Sequence, residues 1–121
     1  MLRPRRMPVP DADRITEFEE VAGLIPDDPV VRFGLAGAYL AAGRADDAVR
    51  EFRDAIRLKP DYSAAHRGLG RALERAGRPS EAAAADRRGL EVATQTGDLQ
   101  TKKEIEVFLR RLASSGPEPS P

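Results

Sequence analysis

Residues 29–61 read PVVRFGLAGAYLAAGRADDAVREFRDAIRLKPD, from Pro29 to Asp61. Apolar residues recur at three- and four-residue intervals on both sides of Gly43, the spacing of two amphipathic helices. Pro29 suits a first helical turn, where its missing N–H would have no partner anyway. Gly43 can adopt the left-handed conformation that closes a helix, so the first segment is expected to end at Ala42. Asp46 and Asp47 then open the second helix, where the dipole favours acids. Lys59-Pro60 stops it, because the residue before a proline is pushed out of the α region. Ala36, Ala48 and Ala55 let the two helices approach closely, and Leu35, Tyr39, Phe52 and Ile56 fill the space between them.

The pattern returns at a shift of 34. Leu69, Gly70, Leu73, Gly77, Ala82 and Leu90 stand where Leu35, Ala36, Tyr39, Gly43, Ala48 and Ile56 stood. Pro79, Ser80 and Glu81 open the second helix of this copy, and Ser63 is expected to cap its first. Aligning Pro26 with Pro60 in turn places Phe18 on Phe52 and Leu24 on Leu58. A helix from about Asp13 to Leu24, capped by Asp11 or Asp13, carries Ile15, Phe18, Val21, Ala22 and Ile25 on its apolar side. It reads as half a repeat. Near the other end, Gly97 ends one helix and Asp98 caps the next, which runs to Ala113 with Leu99, Ile105, Phe108, Leu109 and Leu112 as its stripe. Aligned by that stripe the spacing is 36, and the Thr94 region lengthens the helix before it.

Leu35, Ala36, Tyr39, Gly43, Ala48, Phe52, Ala55 and Pro60 fall at the positions of a tetratricopeptide repeat, and the chain resembles that family. The resemblance implies an all-α, right-handed solenoid of antiparallel helix pairs with about six helices. The expected division is a half-repeat over 11–26, full repeats over 29–62 and 63–96, and a capping helix over 97–113. Pro-rich, polar tails are expected at 1–10 and 114–121. Repeats bury their faces only against neighbours, so about three units are needed, which the flanking helices supply. A plain antiparallel helical bundle is the competing architecture.

Composition narrows the function. The 121 residues carry 20 basic and 20 acidic side chains, so a bulk attraction to nucleic acid or an anionic membrane is not expected. With no Cys and one His, His66, thiolate chemistry and a His-based metal site are not expected. MLRPRRMPVP has no apolar core of a signal peptide, and no apolar run approaches ~20 residues, so a cytoplasmic protein is expected. Ser63, Ser80, Ser114, Ser115, Ser120 and His66 form no nucleophile-and-base motif. Gly68 and Gly70 lie within a helical pattern rather than a phosphate loop. Glu51 and Asp54 read as surface charge. The expectation is a protein that is not an enzyme and has no cofactor.

The resemblance also implies where binding occurs. In the family, first helices of successive repeats line a concave groove that holds an extended peptide. Carried over by position, the first repeat offers Val30, Phe33, Gly37, Leu40 and Ala41, and the second Ala64, Arg67, Arg71, Glu74 and Arg75. The cap offers Gln100, Lys103, Val107, Arg110 and Arg111. The groove is thus expected to be apolar at one end and cationic at the other. Charge is unevenly spread in the same sense: 11–28 holds seven acids and one Arg, whereas 63–90 holds six Arg and three acids. A partner bearing Asp, Glu or a free C-terminal carboxylate would suit it, since Arg pairs with carboxylates bidentately. The opposing expectation is that these arginines solvate helices and bridge to Glu74 and its neighbours. Some family members hold chaperone tails through Lys and Asn; this chain has no Asn, so Arg67 and Arg71 would replace only the cations. A second function is self-assembly, a homodimer included, through the unpaired first helix. Asp86, in the place of Phe18 and Phe52, is expected either to pair with Lys102 or to point outward.

Overall fold

The computed structural model describes residues 10–114, and every regular element in that range is helical. The helices are α1 Pro10–Leu24, α2 Pro29–Ala41, α3 Ala45–Leu58, α4 Ser63–Arg75, α5 Pro79–Thr96 and α6 Leu99–Ser114. The described residues form an all-α solenoid of six helices. The tails expected at 1–10 and 114–121 lie outside the described residues, except that Pro10 opens α1 and Ser114 closes α6.

Local chemistry sets most boundaries. α1 begins at Pro10, ahead of both aspartates expected to cap it, and a proline at the first helical position forfeits no hydrogen bond. Asp28 caps α2, its Oδ1 accepting from the Val30 and Val31 amides at 2.8 and 3.1 Å. The turns between α2 and α3 and between α4 and α5 rest on glycine: Gly43 and Gly77 have φ of 78° and 76°, left-handed values that strain any residue with a Cβ. α5 runs on to Thr96, as the longer spacing requires. Ser63 does not cap α4. Its hydroxyl donates instead to Asp98 Oδ2 at 2.6 Å, while Asp98 Oδ1 caps α6 by accepting from the Thr101 amide at 3.1 Å. Ser63 is the first residue of α4 and Tyr62 its N-cap, so the Ser63 side chain sits one place past the capping position.

Packing follows chain order. Each helix lies on the next; α2 also touches α4, and α4 touches α6, whereas α1, α3 and α5 do not touch one another. The stack therefore curves, with α2, α4 and α6 on its inner side. Leu35, Ala36, Ala48, Phe52, Ala55, Ala72, Leu73 and Ala82 form the buried seam between helices. Two aromatic rings dock on glycines where a Cβ would collide with them: Phe18 on Gly34 and Phe52 on Gly68.

Asp86 breaks this series, and both expectations for it fail. It makes no ion pair with Lys102, and it does not point outward, being only 1% exposed. Its carboxyl fills the hollow over Gly70 on α4, where a Cβ would strike it. An aspartate is too short to reach the next helix as phenylalanine does. Ile105 of α6 closes the gap, its Cδ1 resting on Gly89, and is itself fully buried.

Candidate functional site

The inner face is built from α2, α4 and α6, and its chemistry concentrates where α4 meets α6. On α4, Arg67, Arg71 and Glu74 recur at i, i+4 and i+7, one face of a helix. Opposite them on α6 stand Glu104, Phe108 and Arg111 at the same intervals. Arg67 donates to Glu104 Oε2. Arg111 donates to Glu74 Oε2 at 2.6 Å. Between these pairs the Arg71 guanidinium lies 4.4 Å from the Phe108 ring centre, and Arg111 flanks the same ring at 5.2 Å. The two ion pairs and the shared ring hold α6 on α4.

Arg71 is the unmatched member. Among the described residues it forms no ion pair, although Arg67 and Arg111 on either side each have one. Burial, and then the positive charges of Arg75 and Arg111, push its pKa below the ordinary value. The guanidinium is partly desolvated, stacked, and left with its hydrogen-bonding fork free. Such a group favours a carboxylate from outside, since stacking uses its face and leaves its N–H edge. Asp86 adjoins the cluster. Burial, and next the charge of Glu74, push its pKa up to about 7, against the pull of Arg71, Arg111 and Arg87. Its Oδ1 is buried without a hydrogen-bond partner among the described residues.

The remaining groove residues divide. Arg75 is exposed and donates to the Leu40 carbonyl at 3.5 Å. Lys103, Val107 and Arg110 are exposed, one position round the helix from the stripe that meets α4. On α2, Val30 is exposed and the space above Gly37 is open. Phe33 is held in the packing: its ring meets Phe52 edge-on at 5.8 Å and Tyr62 at 5.1 Å. Leu40 is likewise partly buried against the core. Sequence reasoning passed over Glu104 and Phe108 as groove residues. A signal was present: 67/104, 71/108 and 74/111 all differ by 37 residues, so the two stripes share one register.

Other features of the surface are modest. One shallow cleft of about 340 Å³ is lined by Lys59, Asp61, Tyr62, Ser63, Ala64, Thr96 and Asp98. A second, of about 290 Å³, lies among Glu19, Ala22, Gly23, Arg32, Leu35, Tyr39 and Glu51. There the Tyr39 hydroxyl donates to Glu19 at 2.8 Å, and burial followed by that acceptor pushes its pKa up to about 12. His66 is buried, its Nε2 donating to the Pro60 carbonyl at 3.0 Å. Among the described residues no group of three His, Cys, Asp or Glu side chains is placed to hold a metal ion, and no helix is long and apolar enough to cross a membrane.

Comparison with known proteins agrees with this geometry. A family model described as tetratricopeptide repeat matches residues 17–97. Among solved structures, a protein from Bordetella parapertussis is 32% identical, covers 91% of each chain and superposes with a TM-score of 0.75. The tetratricopeptide-repeat domain of Sgt2 from Aspergillus fumigatus is 26% identical over 92% of this chain and 75% of its own, with a TM-score of 0.75. The type III secretion translocator chaperone SycD from Yersinia enterocolitica shares the fold at 15% identity, covering 87% of this chain and 73% of its own, with a TM-score of 0.81. No curated protein matches.

Proposed function

The chain belongs to the tetratricopeptide-repeat family, and from that premise we propose that its inner face binds an extended protein segment through a carboxylate, without catalysis. The observation that carries this reading is Arg71: a partly desolvated cation, stacked on Phe108, with no acidic partner of its own among the described residues. Docking a carboxylate there supplies the missing counter-charge in a setting where charge-assisted bonds are strong. Arg75 lies beside it to favour a further acidic group, Lys103 and Arg110 add positive charge on the exposed side of α6, and Val30 with the open floor at Gly37 takes an apolar side chain farther along. The reading includes a cytoplasmic location and excludes nucleic acid and membrane as partners.

A peptide array tests it. Sequences with an acidic or free carboxyl terminus are compared with their amide-matched counterparts, using wild type and Arg71→Glu. The wild type retains the carboxylate members, and Arg71→Glu loses at least about tenfold in affinity, the effect of placing like charges together at a contact. Equal binding by both proteins would rule the mechanism out. Arg67→Glu is a poorer probe, because it also breaks the pair with Glu104 that holds α6.

A second reading has its own support. Val21 and Leu24 on one edge of α1, and Ile25 just past its end, are exposed at 40%, 83% and 46%. It makes the protein a scaffold subunit that assembles through that helix. A concentration series by light scattering tests this, and a monomer throughout would exclude it.

A further inference from the structure

Resting on that second reading, we infer that the edge of α1 is covered by the outer face of α6 from another copy, so that the two helices complete a repeat between chains and the assembly runs head to tail.

The inference comes from register. In the first full repeat α2 and α3 pack as partners, and Arg32 on α2 pairs with Glu51 on α3 at 2.9 Å. A shift of 34 residues toward the amino end carries α3 onto α1; shifts of 34 and then 36 toward the carboxyl end carry α2 onto α6. Glu51 thus maps to Glu17, and Arg32 to Lys102. Ala36 and Ala48, both fully buried between α2 and α3, map to Glu106 and Arg14. Tyr39 and Ala55 map to Leu109 and Val21. Among the described residues, then, α1 is a second-type helix whose first-type partner is absent, and α6 is a first-type helix whose second-type partner is absent. The faces that partners would cover are open: Arg14, Glu17 and Glu106 are exposed, and Val21 is 40% exposed where Ala55 is fully buried.

The charges at these positions are complementary. Docking α6 on a second α1 brings Lys102 to Glu17 and Glu106 to Arg14, with Leu109 facing Val21. None of the four charged groups forms an ion pair with another described residue, so none must be freed first. The helices as wholes agree. α1 carries Asp11, Asp13, Glu17, Glu19 and Glu20 against Arg14; α6 carries Lys102, Lys103, Arg110 and Arg111 against Glu104 and Glu106. Two α1 helices docked on each other would join two helices of net acidic charge, whereas α6 on α1 joins a basic helix to an acidic one. A heterologous interface of this kind leaves one free end of each type on every assembly, so growth does not stop at two unless a ring closes.

Sedimentation velocity on the full chain over a concentration series decides the matter, with Glu17→Lys and Lys102→Glu as the variants. Glu17 is exposed and Lys102 half-buried, and circular dichroism checks that each variant folds. Wild type is expected to rise in mass past the dimer. Each single variant puts like charges together and weakens association at least about tenfold. An equimolar mixture of the two regains wild-type association, because one junction keeps the native Lys–Glu pair and the other carries it reversed. A mixture no better than its components overturns the α6 assignment. A dimer that ignores Lys102→Glu also overturns it while leaving self-assembly through α1 standing. A wild-type monomer at every concentration removes both.

Discussion

Replacing Asp86 with leucine is expected to stabilise the protein, by an amount that grows with pH. The two side chains branch alike at Cγ, so leucine occupies the hollow over Gly70 with methyl groups where the oxygens were. Burial raises the Asp86 pKa from the ordinary 3.8 to about 7. An acid whose pKa is higher in the folded state binds a proton there that the unfolded chain has already released. Stability therefore falls as pH rises between those two values, at about 1.4 kcal/mol per pH unit, or about 4 kcal/mol in all. Below pH 4 this penalty is absent; above pH 7 it is complete. Leucine removes it, and it removes the unpartnered Oδ1, whose burial costs about 1–3 kcal/mol. Crowding of the larger methyl groups against α4 takes back about 1–3 kcal/mol. The two smaller effects nearly offset, leaving little change at pH 4 and a gain of about 4 kcal/mol at pH 8. Asp86→Asn isolates the ionisation, since it cannot titrate but stays polar. Urea unfolding followed by circular dichroism between pH 4 and 8 measures all three proteins. A stability difference between Asp86→Leu and wild type that does not change with pH, or a leucine variant less stable at pH 8, would refute the reasoning and reveal a buried partner for the carboxylate.

Other substitutions separate packing from propensity. Gly68→Ala drives a Cβ into the Phe52 ring and is expected to cost about 1–2 kcal/mol despite alanine's better helix propensity. Gly37→Ala meets nothing and gains about 0.5–1 kcal/mol, so equal effects in thermal melts would contradict the close approach of ring to backbone. Asp98→Ala removes the cap on Thr101 and the acceptor for Ser63 together, a loss of about 1–2 kcal/mol in chemical unfolding. Because the hydrogen bonds from Ser63 and Thr101 lower the Asp98 pKa, that contribution is fully present above the ordinary carboxylate value and is lost as pH falls below it through the lowered folded value. Tyr39→Phe forfeits the hydrogen bond to Glu19 and lowers stability by about 1 kcal/mol, and ultraviolet titration of wild type shows a tyrosine ionising near pH 12.

The repeat pattern alone determined that the chain is helical, where its turns fall and which helices pair. Those properties are local or periodic. Gly43 and Gly77 close helices because of backbone sterics at single residues, and the 34-residue return of small and large side chains sets which faces meet. The row Arg67, Arg71, Glu74 and Arg75 came from the groove positions that the family resemblance implies, and the helical spacing of those positions places it on one stripe. How a helix is rotated about its own axis is not a local property, and there only the tertiary structure decided. The insertion of Ile105 over Gly89 turns α6 so that Glu104, Phe108 and Arg111 meet α4, and Lys103, Val107 and Arg110 turn to solvent. Phe33 and Leu40 were drawn into packing by neighbours from other helices, and Ser63 by a carboxylate 35 residues away. Asp86 shows the difference most directly. Its position marks it as a departure from the pattern, but its burial comes from the missing side chain of Gly70 on the opposing helix, a complementarity that exists only when the two are packed together.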